Sequence, residues 1–138
     1  MVNIILATHG ELGRALIESA QAIAGPQEHV FAVSLLSDES PEAFSQKLAS
    51  VLEQTANEQT LLLVDLFGGT PYNIAARAAL AAASPGRVAC VTGVNLPLLL
   101  ELLLARDTAT SLMELAETSV QAGRDSIKNL STLLRRPS

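Results

Sequence analysis

The stretch that constrains the fold most is residues 60–73, which read TLLLVDLFGGTPYN. The apolar residues 61–64 are continuous and show no alternation, which is typical of a strand buried on both faces of a parallel sheet. Asp65 closes this run, where a buried strand reaches its carboxyl end. A glycine turn follows at once, so the stretch predicts a strand, a turn and a helix start in that order.

The turn after this strand contains Gly68 and Gly69, which permit a sharp bend and a close approach of backbone to a ligand. Thr70 is predicted as the helix N-cap, and Pro71 suits the first helical position. Free N–H groups and the helix dipole would then converge on the turn and favour an anion. The same residues also suit an ordinary tight turn, so this motif alone leaves the function open.

Length and composition bound the remaining choices. The chain has 138 residues, which predicts a single domain over residues 1–138. A net charge of −5 disfavours nucleic-acid binding. Cys90, the one cysteine, is predicted to be a buried small residue, and no cysteine-based metal spacing is present. The amino terminus reads as a strand without the basic region of a signal peptide, which predicts a cytoplasmic protein.

The alternation of strands and helices predicts an α/β fold, a mainly parallel sheet of four strands between helix layers (α/β/α). The predicted elements are strand 2–7, helix 11–24, strand 29–35, a helix capped by Ser40, strand 61–64, helix 71–83, strand 87–92, helix 96–106 and helix 111–122. Residues 125–130 fit either a helix or a short edge strand. Because ligands bind beyond the carboxyl ends of such strands, we expect the turns 8–10, 67–70 and 93–95 to line a crevice.

His9 ends the first predicted strand and should therefore face this crevice. Neutral imidazole, which is available near pH 7, can attack phosphorus if its other ring nitrogen holds a proton against a carboxylate. Asp65, at the neighbouring strand end, is the candidate carboxylate. The N–H groups of residues 68–70 would meet the charge of the transferred group. The pattern predicts a phosphoryl group on His9, with no nucleotide, metal or cofactor.

Other functions fit the sequence less well. No Gly-Lys-Ser/Thr follows the glycine turn and no G-x-G-x-x-G is present, which disfavours nucleotide binding. His29, the other histidine, is predicted on the surface at the opposite edge of the sheet, which disfavours a metal site. No G-x-S-x-G elbow supports a hydrolase. Phosphorylation of Asp65 itself would need an acidic cluster after the first strand and a lysine after the fourth, and both are missing.

The sequence resembles the IIA component of the mannose-class bacterial sugar phosphotransferase system. The matching segments are ATHGELG, VDLFGGTPYNIAAR, VTGVNLPLLLELLLARD and AGRDSIKNL, in the same order along nearly the whole chain. The resemblance implies a transient phosphohistidine at His9, with the phosphate on Nε2 and Asp65 as the acidic partner. It also implies a phosphoryl-binding turn made of Phe67, Gly68, Gly69 and Thr70.

The resemblance further implies partners and an assembly. The donor would be the phosphocarrier protein HPr and the acceptor a IIB component, with only indirect contact to the membrane components IIC and IID. The family fold has an antiparallel edge strand exchanged across a homodimer, here residues 125–130. The leucines of residues 96–104 are numerous enough to suggest burial in the same dimer. Because no IIB sequence follows, a free-standing IIA subunit is expected.

Two alternatives stay open at this point. The phosphotransfer subunit of dihydroxyacetone kinase shares the fold and a histidine at the same strand end. Its turn reads Ser-His-Ser and its central strand lacks the Gly-Gly-Thr-Pro-Tyr-Asn run, so this sequence resembles the sugar systems more. The other alternative is a non-catalytic regulatory module that binds an anion or a partner in the crevice, a role that would not require His9.

Overall fold

A computed structural model describes residues 1–81 and 86–135 of the chain. Helices cover both faces of a four-stranded sheet. The strands are β1 (Asn3–His9), β2 (Val30–Leu35), β3 (Thr60–Val64) and β4 (Val88–Thr92). The helices are α1 (Leu12–Ala24), α2 (Pro41–Gln54), α3 (Thr70–Leu80), α4 (Leu96–Ala105), α5 (Leu112–Asp125) and α6 (Leu130–Leu133).

The strand order β2-β1-β3-β4 creates the switch point that the sequence predicts. All the strand pairs are parallel. From β1 the chain passes to β2 on one side and later to β3 on the other, so the connections diverge between β1 and β3. In the register of these strands Ala7 lies opposite Val64. The carboxyl ends of β1 and β3 are therefore neighbours, and a crevice opens beyond them.

The central strands are buried on both faces, which explains why their sequences do not alternate. In β3, Leu61 and Leu63 pack with residues of α4 and α5, such as Leu99 and Leu115. Leu62 and Val64 face the other layer and pack with residues of α2 and α3, such as Phe44 and Ala75. Successive side chains of a strand point to opposite faces, so both helix layers require apolar residues. The predicted three-layer α/β/α fold is observed.

The start of α3 differs from the prediction. Gly69, and not Thr70, is the N-cap, and no side chain of the described residues caps this end of the helix. The extended backbone of Gly69 (φ −84°, ψ 178°) lets its carbonyl accept the N–H of Asn73 at 2.9 Å. The helix therefore begins at Thr70, one residue before the predicted start at Pro71, and the hydroxyl of Thr70 does not cap it. At α2 the prediction is confirmed, since Ser40 Oγ accepts the N–H of Ala43 at 3.1 Å.

The carboxyl-terminal part of the chain also departs from the expectation. Helix α5 runs on to Asp125, residues 127–129 belong to no helix or strand, and α6 begins at Leu130. In residues 1–81 and 86–135 the sheet contains no antiparallel edge strand. Helix α3 ends at Leu80. The predicted continuation of that helix to residue 83 lies outside the described residues.

The leucines of α4 are used within the chain. Leu98, Leu99, Leu102 and Leu103 are buried in the core that α4 forms with α5 and the sheet. Leu104 is the exposed exception, with 71% of its surface accessible. Most of these leucines are therefore covered within the chain, and burial of exposed ones such as Leu104 in a dimer stays a prediction. Within the described part of the chain, no helix is long and apolar enough to cross a membrane.

Candidate functional site

His9 and Asp65 lie side by side at the carboxyl ends of β1 and β3, as the sequence predicts. Asp65 Oδ2 accepts the Nδ1–H of the His9 ring at 3.0 Å and the backbone N–H of His9 at 3.0 Å. Because a carboxylate only accepts, Nδ1 carries the ring proton. The lone pair of the neutral ring is therefore on Nε2, which makes Nε2 the nucleophilic atom.

The two side chains of the pair differ in exposure. The Asp65 side chain is 12% exposed, whereas the His9 side chain is 47% exposed. The carboxylate thus lies behind the ring, and the ring faces solvent. Asp65 Oδ1 is buried and has no hydrogen-bond partner among the described residues. A buried oxygen without a partner is unfavourable, so the Oδ1 atom does not stabilise the fold, whereas Oδ2 binds the histidine.

Gly69 faces the other side of the imidazole ring. A methyl group built on Gly69 would lie 3.0 Å from His9 Cε1 and 3.4 Å from His9 Nε2. The φ of −84° at Gly69 is accessible to any residue, so the requirement here is for space. At Gly68 the requirement is conformational, because its φ is +90°. The two glycines together bring the start of α3 against the Nε2 side of the His9 ring.

This start of α3 has the properties of an anion site. Among residues 1–81 and 86–135, no acceptor pairs with the N–H groups of Gly68 and Gly69. The half-buried hydroxyl of Thr70 makes no hydrogen bond within the same residues. Free N–H groups and the positive end of a helix dipole therefore lie beside Nε2. Such a site suits a group with several negative oxygens.

Phe67 stands at the outer end of the turn. Its side chain is 71% exposed, and its ring lies 4.6 Å from the ring of Tyr72, tilted by 47°. The aromatic contact holds Phe67 against the first turn of α3. A role for Phe67 in binding a phosphoryl group stays a prediction, and it would involve the backbone more readily than the ring.

The third predicted turn, residues 93–95, has a structural task. Asn95 Oδ1 accepts the N–H of Leu98 at 2.9 Å, and Asn95 Nδ2 donates to the carbonyl of Gly123 at 3.3 Å. Asn95 thus caps α4 and links it to α5, and none of its hydrogen bonds reaches the His9 pair.

His29 is exposed at the amino end of the sheet, as predicted, and its Nδ1 lies 3.1 Å from Asn3 Oδ1.

Cys90 lies in β4 and is only partly buried, so the prediction of a buried residue holds in part. Desolvation raises the pKa of the Cys90 thiol to about 11, so it is protonated at neutral pH. Within the described residues, no group of His, Cys, Asp and Glu side chains is arranged to hold a metal ion.

Sequence reasoning missed the contact between Thr8, which directly precedes His9, and Gly13. Thr8 is buried, and its Oγ1 accepts the N–H of Gly13 in the first turn of α1 at 2.9 Å. The available signal was a glycine inside a predicted helix, where glycine is unfavourable by about 1 kcal/mol relative to alanine. Such a glycine indicates that two backbones approach closely.

The fold and the site together define a class of protein. It is an α/β protein in which a histidine, hydrogen-bonded to a carboxylate, faces a helix N-terminus that no side chain of the described residues caps, at the switch point of a parallel sheet. Comparison with known proteins identifies the family. Residues 3–120 match the family model of the PTS system fructose IIA component. The chain belongs to this family of phosphotransferase-system IIA components, as the motifs predict.

Individual relatives agree with the family match. The chain is 33% identical over 139 residues to the fructose-specific EIIA component of Bacillus subtilis, a match that covers 96% of this chain and 93% of that protein. It is 32% identical over 130 residues to the mannose-specific EIIAB component of Escherichia coli, covering 94% of this chain. The matched part is 39% of the Escherichia coli protein, so the chain spans about two fifths of that relative's length. The crystal structure of EIIA from Streptococcus agalactiae superposes with a TM-score of 0.88 at 26% identity, covering 96% of this chain and 99% of the other.

Proposed function

We propose that this protein is a phosphocarrier of a bacterial sugar phosphotransferase system and that His9 is its phosphorylated residue. Nε2 of His9 accepts a phosphoryl group from the phosphocarrier protein HPr and passes it to a IIB component in the cytoplasm. The observation that carries the proposal is the placement of His9 between Asp65, at 3.0 Å from Nδ1, and the backbone of Gly69 on the Nε2 side. Relatives named for fructose and mannose systems support the substrate class, a sugar taken up by the cell.

The geometry supports direct transfer of a phosphoryl group from a donor imidazole ring to the His9 ring. The Nε2 lone pair attacks the phosphorus, the N–P bond of the donor's phosphohistidine breaks, and its electron pair stays on the donor nitrogen. Nδ1–H of His9 remains bonded to Asp65, whose carboxylate balances the positive charge on the phosphorylated ring. N–H groups of Gly68 and Gly69 and the Thr70 hydroxyl meet the charge on the phosphoryl oxygens. Transfer to the IIB component follows the same path in reverse.

Replacing Asp65 by alanine should slow the transfer while leaving the fold intact. The variant loses the acceptor that orients Nδ1–H and balances the ring charge, so we expect the single-turnover rate from phospho-HPr to fall about a hundredfold. Stability should fall by only about 1 kcal/mol, because the hydrogen bonds lost are near the surface. Rapid-quench measurement of the phosphoprotein, together with denaturant unfolding, gives both quantities.

Asp38 provides the matched control for this prediction. It is an exposed acidic residue in the loop after β2, at the same carboxyl end of the strands as His9. It forms no ion pair within the described residues. Asp38→Ala removes one negative charge from the docking face and should change the rate less than threefold. Equal slowing in the two variants would mean that the general charge of this face matters and that Asp65 has no specific role.

We further infer a homodimer in which an edge strand is exchanged. Among the described residues, β4 is hydrogen-bonded on one side only, to β3, so its outer edge carries backbone groups that no described strand pairs. A groove of about 1010 Å³ runs along this edge between α3 and α5. The segment after α5 exposes several apolar side chains. They are Ile127, Leu130, Leu133 and Leu134. Residues 125–130 of a second copy, most of which lie between α5 and α6, would fit this groove as an antiparallel strand.

Sedimentation equilibrium tests the exchanged strand. We expect the full chain to be a dimer at micromolar concentration, because the edge groove and the apolar segment are then both covered. Replacing Ile127 and Leu130 by serine should give a monomer, whereas Leu104→Ser, at an exposed leucine of α4, should stay dimeric. A full chain that sediments only as a monomer would contradict the assembly.

A further inference from the structure

Thr8 is a wholly buried polar residue that the proposed transfer step does not use. It directly precedes His9 in β1, and its Oγ1 accepts the N–H of Gly13 at 2.9 Å. Gly13 is the second residue of α1. The bond therefore ties the end of the strand that carries His9 to the start of the next helix, across the sharp bend between them.

Gly13 is needed for this contact because of space. A methyl group built on Gly13 would lie 3.1 Å from Leu6 Cβ and 3.1 Å from Thr8 Oγ1. Both distances are shorter than an ordinary van der Waals contact between such atoms. The glycine thus lets the first turn of α1 lie directly on β1, with the Thr8 hydroxyl filling the contact.

Residues 9–12 connect Thr8 and Gly13, the two residues that this hydrogen bond joins. The N–H of His9 donates to Asp65 Oδ2 at 3.0 Å, and the N–H of Gly10 donates to the carbonyl of Leu35 at 2.8 Å. Gly10 adopts a φ of +55°, which sets the bend that follows His9. Hydrogen bonds therefore fix the backbone at His9 and at Gly10. The hydrogen bond of Thr8 also connects this backbone to α1.

We propose that Thr8 is a positioning residue for phosphoryl transfer: its hydroxyl, through the N–H of Gly13, holds the His9 backbone so that Nε2 stays beside Gly69. This inference rests on the proposed function, because the position of Nε2 matters for transfer only if His9 carries the phosphoryl group. The tolerance is small, since Gly69 leaves no room for a methyl group beside the ring. A displacement of about 1 Å from attack geometry costs about a hundredfold in rate.

The test compares two substitutions at Thr8 with one at Thr60. Thr8→Val keeps the shape and removes the acceptor, whereas Thr8→Ser keeps the acceptor. Thr60 is equally buried, at 1% exposure, and its hydroxyl donates to Thr55 Oγ1 at 3.3 Å near the amino end of the sheet. Thr60→Val therefore controls for the loss of a buried hydroxyl away from the site.

The measurements are the single-turnover rate of phosphorylation by phospho-HPr and the NMR pH titration of the His9 ring. We expect Thr8→Val to lower the rate between about tenfold and a hundredfold and to shift the ring signals. Thr8→Ser should restore the parent rate. Thr60→Val should lose comparable stability and keep the parent rate and ring signals.

A Thr8→Val variant with the parent rate and the parent ring titration would overturn the proposal and leave Thr8 a purely structural residue. If Thr8→Val does not fold, Gly13→Ala takes its place, because its methyl group displaces the same hydroxyl, and a parent rate there would overturn the proposal equally. Failure of the proposed function would look different: the parent itself would accept no phosphate. The ring titration needs no donor and would still show whether Thr8 positions His9.

Discussion

Replacing His9 by alanine is expected to abolish phosphorylation by phospho-HPr completely. The reason is that Nε2 of His9 is the atom that bonds to phosphorus in the proposed transfer. The fold should persist, since the ring is about half exposed and Asp65 would keep its hydrogen bond from the backbone N–H of residue 9. We expect the free energy of unfolding to change by no more than about 1 kcal/mol.

His29 offers the matched control for this variant. It is the other histidine of the chain and is exposed at the amino end of the sheet. Its φ of +59° makes asparagine the suitable replacement, because asparagine tolerates the left-handed region. His29→Asn should accept phosphate like the parent. If His9→Ala were phosphorylated normally, the carrier function would have to reside elsewhere, and the regulatory alternative would gain weight.

Replacing Gly69 by valine should reduce phosphorylation at least about a hundredfold. A side chain at this position would occupy the space next to Cε1 and Nε2 of His9, where the phosphoryl group must enter. The backbone itself should tolerate the change, because the φ of −84° at Gly69 suits any residue. The binding of HPr can be followed separately by titration, so that a block at phosphorus is told apart from lost docking.

Gly123 provides the converse case. A methyl group there would lie 3.2 Å from Leu98 Cβ, in the contact between α4 and α5. Gly123→Ala should therefore lower stability by about 1–3 kcal/mol through overpacking and leave transfer unchanged. The expected pattern is a loss of rate without a loss of stability at Gly69, and the reverse at Gly123. Loss of stability in both variants with normal transfer in both would contradict the role given to Gly69.

The sequence was sufficient to predict the parallel sheet and the contact between His9 and Asp65. Continuous apolar runs before His9 and Asp65 indicated doubly buried strands, and parallel strands bring their carboxyl ends to one edge. The observed register places Ala7 opposite Val64, so the two residues beyond them meet. The family indicated by the motifs around these residues is confirmed by the match over residues 3–120.

The missed details depend on contacts that a single chain segment does not reveal. The N-cap of α3 shifted to Gly69 because its carbonyl could already accept a helical hydrogen bond. The tie between Thr8 and Gly13 depends on how closely α1 approaches β1. The leucines of α4 seemed too many for one buried face, because the sequence of α4 alone does not show that α5 packs on them. Local patterns predict elements well, whereas packing between elements decides such cases.

The central claim is that His9 carries a phosphoryl group received from HPr. The most direct measurement incubates the purified chain with phosphoenolpyruvate, enzyme I and HPr, and determines the intact mass before and after acid treatment. We predict a single added phosphate that requires HPr, is lost in acid, survives in base and maps to Nε2 of His9 by NMR. No added phosphate on the chain, in a reaction where HPr itself is phosphorylated, would contradict the claim.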